Sequence, residues 1–485
     1  MRGGASAVVA LALPHYLTRA LDHDRFAAWA LMLQIAAFAG YLDFGLQTAV
    51  ARYLAQAMER GDDEQRDSLV STAFAMLAGG GALALLVIGA VAWQLPRIFH
   101  GAPPQMIGEL RGGVLVLAAS AALLLPMSTF TGVLIGLHRN EYPALAIGGS
   151  RILGAVAVLL AVRHTHSLVW LAVCIGGFNL VGGLVQPVIV MYLLPALRLH
   201  VERITRGMVI ELLHYCGALS VWSFAMLLIT GLDVTIVGHF DFEATGAYAI
   251  AATLITFYTG VTGSIFSAMM TPVAVLQARG ETGRIRELIL DSTQLNSYAS
   301  LICTAATFLV GPWMLRAWVG PVYAAGALPI LELLVVAQSA RMVGLPFSTV
   351  LVAMGLQRYA VPNAIIEGCL NLALSLVGAA LVGAEGVAWA TLVASIAAVA
   401  LLVWRVMGSV RELGLSRAMF VRKVVLMPVL VFLPVLAWVA MRAAGVAVAA
   451  PLHMVLPVVS CLATMLLLMA AVFRMRRMRQ RRLAG

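Results

Sequence analysis

The sequence predicts an all-α polytopic membrane protein of about 14 transmembrane helices, arranged as two parallel six-helix bundles followed by a C-terminal helix pair. Three observations carry this. Apolar residues make up 62% of the chain and charged residues 11%, and mean hydropathy is +0.95; a soluble domain is about half apolar and about a quarter charged. Apolar runs of roughly twenty residues, each long enough to cross a core about 30 Å thick, follow one another from end to end. The chain also repeats itself at an offset of 219 residues: Arg60-Gly61 returns as Arg279-Gly280, Gly136-Leu137-His138-Arg139 as Gly355-Leu356-Gln357-Arg358, Pro143 as Pro362 and Trp170 as Trp389. Shared Ala and Leu mean little in so apolar a chain, so the signal lies in Arg, Gly, Pro and Trp at matching loop ends.

The first six spans are predicted at 5–20, 26–51, 69–95, 110–136, 143–162 and 168–194. The next six fall at 217–240, 246–271, 293–318, 327–354, 363–381 and 387–407, and a last pair outside the repeat at 421–441 and 451–473. This divides the chain into bundles at 1–200 and 201–410, a helix pair at 411–473 and a basic tail at 474–485. The first span has only about 13 strongly apolar residues before His15 and Arg19, short for a bilayer. An amphipathic lead, Ile204 to Tyr215, precedes its repeat partner. A truncated or mis-assigned start is therefore expected; a signal peptide fits less well, because no cleavage site and no soluble domain follow.

Lys and Arg accumulate in cytoplasmic loops. With both termini inside, inner segments hold 23 of the 32 basic residues and outer segments seven, which orients the chain. The net charge of +10 expresses the same rule, so the Arg-rich tail from Arg474 to Arg482 needs no nucleic acid as partner; it also suits anionic lipids of the inner leaflet. The cysteines at 174, 216, 303, 369 and 461 stand singly and read as small buried residues. The ten histidines show no metal-ligand spacing, His164 and His166 flank a water-facing outer loop, and neither a metal nor a cofactor is implied.

Two fused copies of one membrane unit are a recurrent plan for secondary transporters, whose substrates bind near the midplane. An ionisable group at that depth costs about 2.5–3.5 kcal/mol on insertion scales and should face a cavity or a partner. His15, Asp43, Arg151, Asp233, Glu332, Arg341 and Glu367 lie at such depths, with Gln47, Gln338, Asn363 and Asn371 as polar neighbours. Arg151 and Arg341 stand closest to the midplane, and their planar forks suit an anionic headgroup, phosphate above all. The alternative is static pairing with Asp43, Glu332 or Glu367. Asp43 and Gln47 are spaced i, i+4 on the second span, where Asp43 either carries a coupling proton or caps or pairs with a neighbouring helix. Glu332 and Arg341 are nine residues apart, on opposite faces of one helix, and cannot pair with each other. His15 and Arg19 are spaced to meet at the outer end of span 1, where an Arg usually snorkels. Asp233 and Glu367 lie near enough to span ends to reach water. Pro126 and Pro346 are expected to interrupt spans 4 and 10.

Several stretches resemble a known family. Phe26-Ala27-Ala28-Trp29-Ala30, Leu42-Asp43-Phe44-Gly45-Leu46 and Ala51-Arg52-Tyr53-Leu54 look like its second helix. Asp233-Val234-Thr235-Ile236-Val237-Gly238 with Gly246-Ala247-Tyr248 looks like its helix 7 to 8 turn. Asn371-Leu372-Ala373-Leu374 with Gly383-Ala384-Glu385-Gly386-Val387-Ala388, and Gly355-Leu356-Gln357-Arg358 before them, look like its helix 11 to 12 region. Nearly the whole chain is similar to the polysaccharide transporter (Wzx-type flippase) branch of the multidrug/oligosaccharidyl-lipid/polysaccharide exporter superfamily. The resemblance implies a V-shaped pair of bundles in the bacterial inner membrane. They would move an undecaprenyl-diphosphate-linked oligosaccharide from inner to outer leaflet by alternating access. A proton gradient or the membrane potential would drive the cycle, with polysaccharide assembly proteins as possible partners. It does not assign Arg151 or Arg341, which rest on charge and depth.

A multidrug antiporter of the same superfamily is the nearest alternative, but such antiporters need carboxylates in the first bundle, and arginines at depth repel cationic drugs. A lipid II flippase shares the count of fourteen. A polysaccharide polymerase or ligase would need a large outer loop with catalytic residues; the longest outer segment, Gln94 to Glu109, offers only Arg97, His100 and Glu109, and no nucleophile–base pair is visible.

Overall fold

The computed structural model describes residues 2–410 and 413–433, with isolated positions at 437, 466, 469 and 470. The described residues form helices without strands, in which eleven helical stretches are long and apolar enough to span a membrane. It is an all-α multi-pass membrane protein. The tail, nearly all of span 14 and the last third of span 13 lie outside the described residues.

The helices are α1 (Arg2–Ala20), α2 (His23–Ala37), α3 (Leu46–Arg60), α4 (Asp63–Ile98), α5 (Pro104–Gly136), α6 (Glu141–Ala161), α7 (Leu168–Leu193), α8 (Arg206–Met226), α9 (Asp233–Phe240), α10 (Thr245–Ser267), α11 (Met270–Ala278), α12 (Thr282–Val319), α13 (Pro321–Met342), α14 (Leu345–Ala353), α15 (Gln357–Val382) and α16 (Ala384–Leu401). Several run past the apolar span predicted for them. Polar ends such as Asp62 and Thr205 cap them with their own side chains, accepting from Gln65 N and Met208 N.

Five predicted spans are broken. Span 2 is not one helix: a 3-10 turn over Phe38–Asp43 and two left-handed residues, Phe44 and Gly45, separate α2 from α3. Asp43 and Gln47 therefore do not share a helical face. Span 7 divides at a π-turn, Leu227–Gly231, and the amphipathic lead is continuous with its first part as α8. Span 8 divides between α10 and α11, and span 12 passes into a π-turn, Leu402–Val406. Span 10 breaks between α13 and α14. Pro346 has no N–H for the carbonyl of Met342, four residues back, and Asn296 Nδ2 donates to that carbonyl instead, at 2.5 Å. Pro126 behaves differently from expectation, because α5 runs through it unbroken. The Ala122 carbonyl that Pro126 leaves without a helical donor is covered by Gly81 of α4, where any Cβ would collide with it.

Packing groups the chain into two compact units. The first comprises Met1–Val261, Leu315–Ile330 and Ala364–Ala394, a grouping that cuts differently from the sequence repeat. At its centre α5 packs against α4, α7, α3 and α2. Lipid offers no hydrophobic drive for helix association, so close van der Waals approach must supply it. Gly132 and Gly136, one turn apart on α5, permit that approach: a Cβ on either would stand 2.7 or 2.8 Å from the carbonyl of Gln47 or Ala51 on α3. The second unit comprises Thr262–Met314, Leu331–Asn363 and Ser395–Gly485. Its core gathers Val273, Ile285, Ile289, Phe347, Val350, Leu402, Val406 and Phe420.

Trp93, Trp170, Trp313, Trp389 and Trp404 are all more than half exposed and lie towards helix ends, as interfacial aromatics do. Cysteines depart from the expected burial: among the described residues Cys216 is buried, Cys174 and Cys303 are half-buried, and Cys369 is exposed.

Gly136→Leu is expected to destabilise the fold by about 1–3 kcal/mol through overpacking against α3, read as a lower unfolding midpoint in a detergent thermal scan. Asn296→Leu, which strands the Met342 carbonyl, is expected to cost about 1–3 kcal/mol in the same scan, whereas Trp93→Leu should leave the midpoint unchanged.

Candidate functional site

The first unit holds a buried polar cluster at the π-turn of span 7. A π-turn leaves carbonyls out of the regular ladder, and those of Leu228 and Ile229 are taken by Asn371 Nδ2 from α15, at 3.3 and 3.0 Å. Gln34 Nε2 of α2 donates to the carbonyl of Gly231 at 2.5 Å. Asp233, the first residue of α9, is only 6% exposed, and its Oδ1 lies 3.4 Å from Asn371 Nδ2. Asn371 and Ser375 are fully buried, one turn apart on α15, and Asn371 Oδ1 and Ser375 Oγ have no hydrogen-bond partner among the described residues. Glu367, one turn before Asn371, is buried too. Gly368 faces α8 and the π-turn closely: a Cβ there would lie 3.1 Å from the carbonyl of Ala225.

Asp43 does local work. Its carboxylate accepts from the backbone N–H groups of Gly45 and Gln47 and from the Ser128 hydroxyl at 3.3 Å, closing the break in span 2 and tying it to α5. Gln47 is half-buried at the start of α3.

The central arginines lie in different units. On α6, Leu145, Ile152, Leu153, Val156 and Leu160 form an exposed apolar stripe of the kind that meets lipid. Arg151 is also exposed, yet at about 100° per residue it projects nearly opposite that stripe, on the side of buried Ala155 and Val158. In the second unit, Arg341 is half-buried in the last turn of α13, and its Nη1 donates to Gln338 Oε1 at 3.1 Å. Gln338 is 2% exposed; Glu332, two turns earlier, is half-buried, and Asn363 Nδ2 donates to the carbonyl of Ala398 at 3.3 Å. The structure thus joins Asp233 with Asn371 and Arg341 with Gln338.

Sequence reasoning assigned Arg66 and Arg203 to orientation alone. Arg66 and Asp67 are in fact buried and paired at 2.8 Å, Arg66 also reaches the carbonyl of Ala196 at 3.2 Å, and Arg203 lies 4.0 Å from Asp67. Beside them is a polar cavity of about 840 Å³ lined by Arg60, Gln65, Ser68, His200, Arg203 and Thr205 among others. The run of polar residues from Asp62 to Asp67 was the available signal. Among the described residues no group of three or more His, Cys, Asp or Glu is placed to hold a metal.

Residues 3–275, more than half of the chain, match the family described as polysaccharide biosynthesis protein. No curated protein matched the sequence. Among solved structures, the lipid II flippase MurJ in an inward closed conformation is similar at 13% identity, with a TM-score of 0.70 and 97% of each chain covered. An inward-facing multidrug resistance MATE transporter of the MOP superfamily is similar at 14% identity and a TM-score of 0.67, over 84% of this chain and 99% of that one. A mutant form of the Vibrio cholerae MATE transporter VcmN is similar at 16% identity and a TM-score of 0.55, over 84% of this chain and 98% of its own. By these matches the chain belongs to the polysaccharide biosynthesis protein family, built on the fold of the MOP superfamily.

Proposed function

We propose that the protein is a flippase that carries an undecaprenyl-diphosphate-linked oligosaccharide from the inner to the outer leaflet of a bacterial inner membrane, with both termini in the cytoplasm. Family membership sets the class of substrate pathway. The observation that carries the reading to a headgroup is Arg151, a permanent cation in a membrane span, exposed on the side of α6 away from its lipid-facing stripe. A charge at that depth sits among polar groups rather than hydrocarbon, and a diphosphate offers paired oxygens for the fork of such an arginine.

In this reading the two halves of the repeat, 1–200 and 201–410, alternate access as two six-helix bundles, with 411–473 as the added pair. Arg151 in one half and Arg341 in the other neutralise the diphosphate while the polyprenyl tail stays in lipid. Gln338 orients Arg341. Asp233, held against Asn371, carries the coupling proton that lets a proton gradient or the membrane potential drive the cycle, with Glu367 as its neighbour in the buried polar segment of α15. Glu332 and Gln47 add polar lining. The chain moves its substrate without making or breaking a covalent bond. Its partners are the lipid-linked glycan, the surrounding lipids and the proteins that assemble the polysaccharide.

A lipid II flippase is the second reading, favoured by the 97% coverage of both chains in the MurJ comparison. A multidrug antiporter fits less well, because an exposed arginine at membrane depth repels the cations such carriers export.

In a deletion strain, lipid-linked oligosaccharide is expected to accumulate on the inner leaflet with loss of surface glycan; loss of peptidoglycan precursor export instead would select the second reading. The Arg151→Ala, Arg341→Ala double variant, at normal abundance, should restore export about tenfold less well than the unaltered chain, since a charge-assisted hydrogen bond contributes about 1.5–3 kcal/mol. Asp233→Asn should leave abundance unchanged and make the residual export insensitive to a protonophore. Full export with unchanged protonophore sensitivity would remove Asp233 from the coupling role.

A further inference from the structure

Three histidines of the first unit, His15, His23 and His239, stand at the ends of the helices opposite the arginine-rich loops. His15 on α1 donates from Nδ1 to the carbonyl of Trp318 at 2.6 Å. His23, opening α2, donates from Nε2 to the carbonyl of Glu243 at 2.7 Å. His239, near the end of α9, contacts the carbonyl of Ile98 through Nδ1. Each bond joins a residue of the first half of the repeat to one of the second, and the partners are 141 to 303 residues apart in sequence. All six residues belong to the same compact unit.

The acceptors share a property. Ile98 is the last residue of α4, Trp318 lies in the last turn of α12, and Glu243 lies in the turn between α9 and α10. The carbonyls of Ile98 and Trp318 lie past the last donor of their own helices, at C-termini whose partial negative charge favours an imidazole N–H, and that of Glu243 lies outside any helix. Further contacts bind the same seam: Trp318 Nε1 donates to the carbonyl of Leu11 at 2.8 Å, Arg19 Nη2 donates to that of Ala317 at 3.1 Å, and the ring of Tyr323 stacks on His23 and meets Phe26 edge-on. Beneath them Phe26, Phe99, Phe242 and Tyr323 are buried, and Gly101 stands against Phe242.

We propose that His15, His23 and His239 form a releasable clamp that holds the outer ends of the first-half and second-half helices together, and that the outer face opens only when these bonds break. The inference rests on the alternating-access reading but not on the identity of the cargo. Three hydrogen bonds to carbonyls near water suit such a clamp, because water can replace each of them at small net cost. A buried ion pair such as Arg66–Asp67 could not be exchanged so readily.

The test is thiol labelling in sealed membrane vesicles, which needs no substrate and so separates this idea from the choice of cargo. In a chain whose five cysteines are replaced by serine, Ala102→Cys places a reporter beside Gly101 at a residue that is 6% exposed. A membrane-impermeant maleimide is applied from each side in turn. The H15L, H23L, H239L variant is expected to label about tenfold faster than the histidine-containing chain, from the side opposite the arginine-rich loops only. The H15Q, H23Q, H239Q variant, which still offers an N–H donor at each position, should keep most of the protection. Should the leucine triple not reach the membrane, His239→Phe alone, which keeps a ring beside Phe240, is expected to label about threefold faster. Equal labelling of the leucine and histidine chains, or equal labelling of His239→Phe and the histidine chain where the triple is not recovered, would overturn the clamp. Glutamine variants labelling as fast as leucine variants would overturn its hydrogen-bond basis.

Discussion

A backbone carbonyl or N–H that loses its helical partner inside a bilayer finds no water to replace it, and much of this structure is arranged around that constraint. Where span 7 loosens into a π-turn, Asn371 and Gln34 reach in from other helices to the carbonyls of Leu228, Ile229 and Gly231. Where Pro346 ends α13, Asn296 takes the carbonyl of Met342. Where span 2 turns through Phe44 and Gly45, Asp43 accepts from the N–H groups of Gly45 and Gln47. Each repair brings a polar side chain to membrane depth.

Close packing complements this. Gly132 and Gly136 bring α5 against α3, and the hairpin of α15 and α16 closes at Gly378 and Gly386, where a Cβ on either would strike the backbone of the other. With helices held at that distance, a polar group on one can reach a carbonyl on the next. The exposed faces follow a different rule: they are apolar along the helices and end in tryptophans, so a charge that projects away from such a face, as Arg151 does, faces something other than hydrocarbon.

Considered as a transporter, the chain separates its polar features by depth. Arginines stand in two central helices, a buried acid sits at a helix break, a paired ion network and a polar cavity lie at the arginine-rich ends, and histidine-to-carbonyl bonds lie at the opposite ends.

Composition and the apolar runs determined the class and the succession of spans, because hydrophobic thickness acts on each segment of chain independently of its neighbours. They also marked Asp233, Asn371, Gln338 and Arg341 as expensive residues at depth. Tertiary structure alone decided where spans 2 and 7 break, which proline interrupts its helix, that Ser128 meets Asp43, that Asn371 rather than another amide meets the π-turn, and that Arg66 is buried against Asp67. Those outcomes depend on which helix lies alongside: Pro126 passes through an unbroken α5 with Gly81 over the carbonyl it strands, whereas Pro346 ends α13 with Asn296 across the break. A local sequence signal says that a backbone group will need a partner, and only the fold says which side chain is near enough to be one.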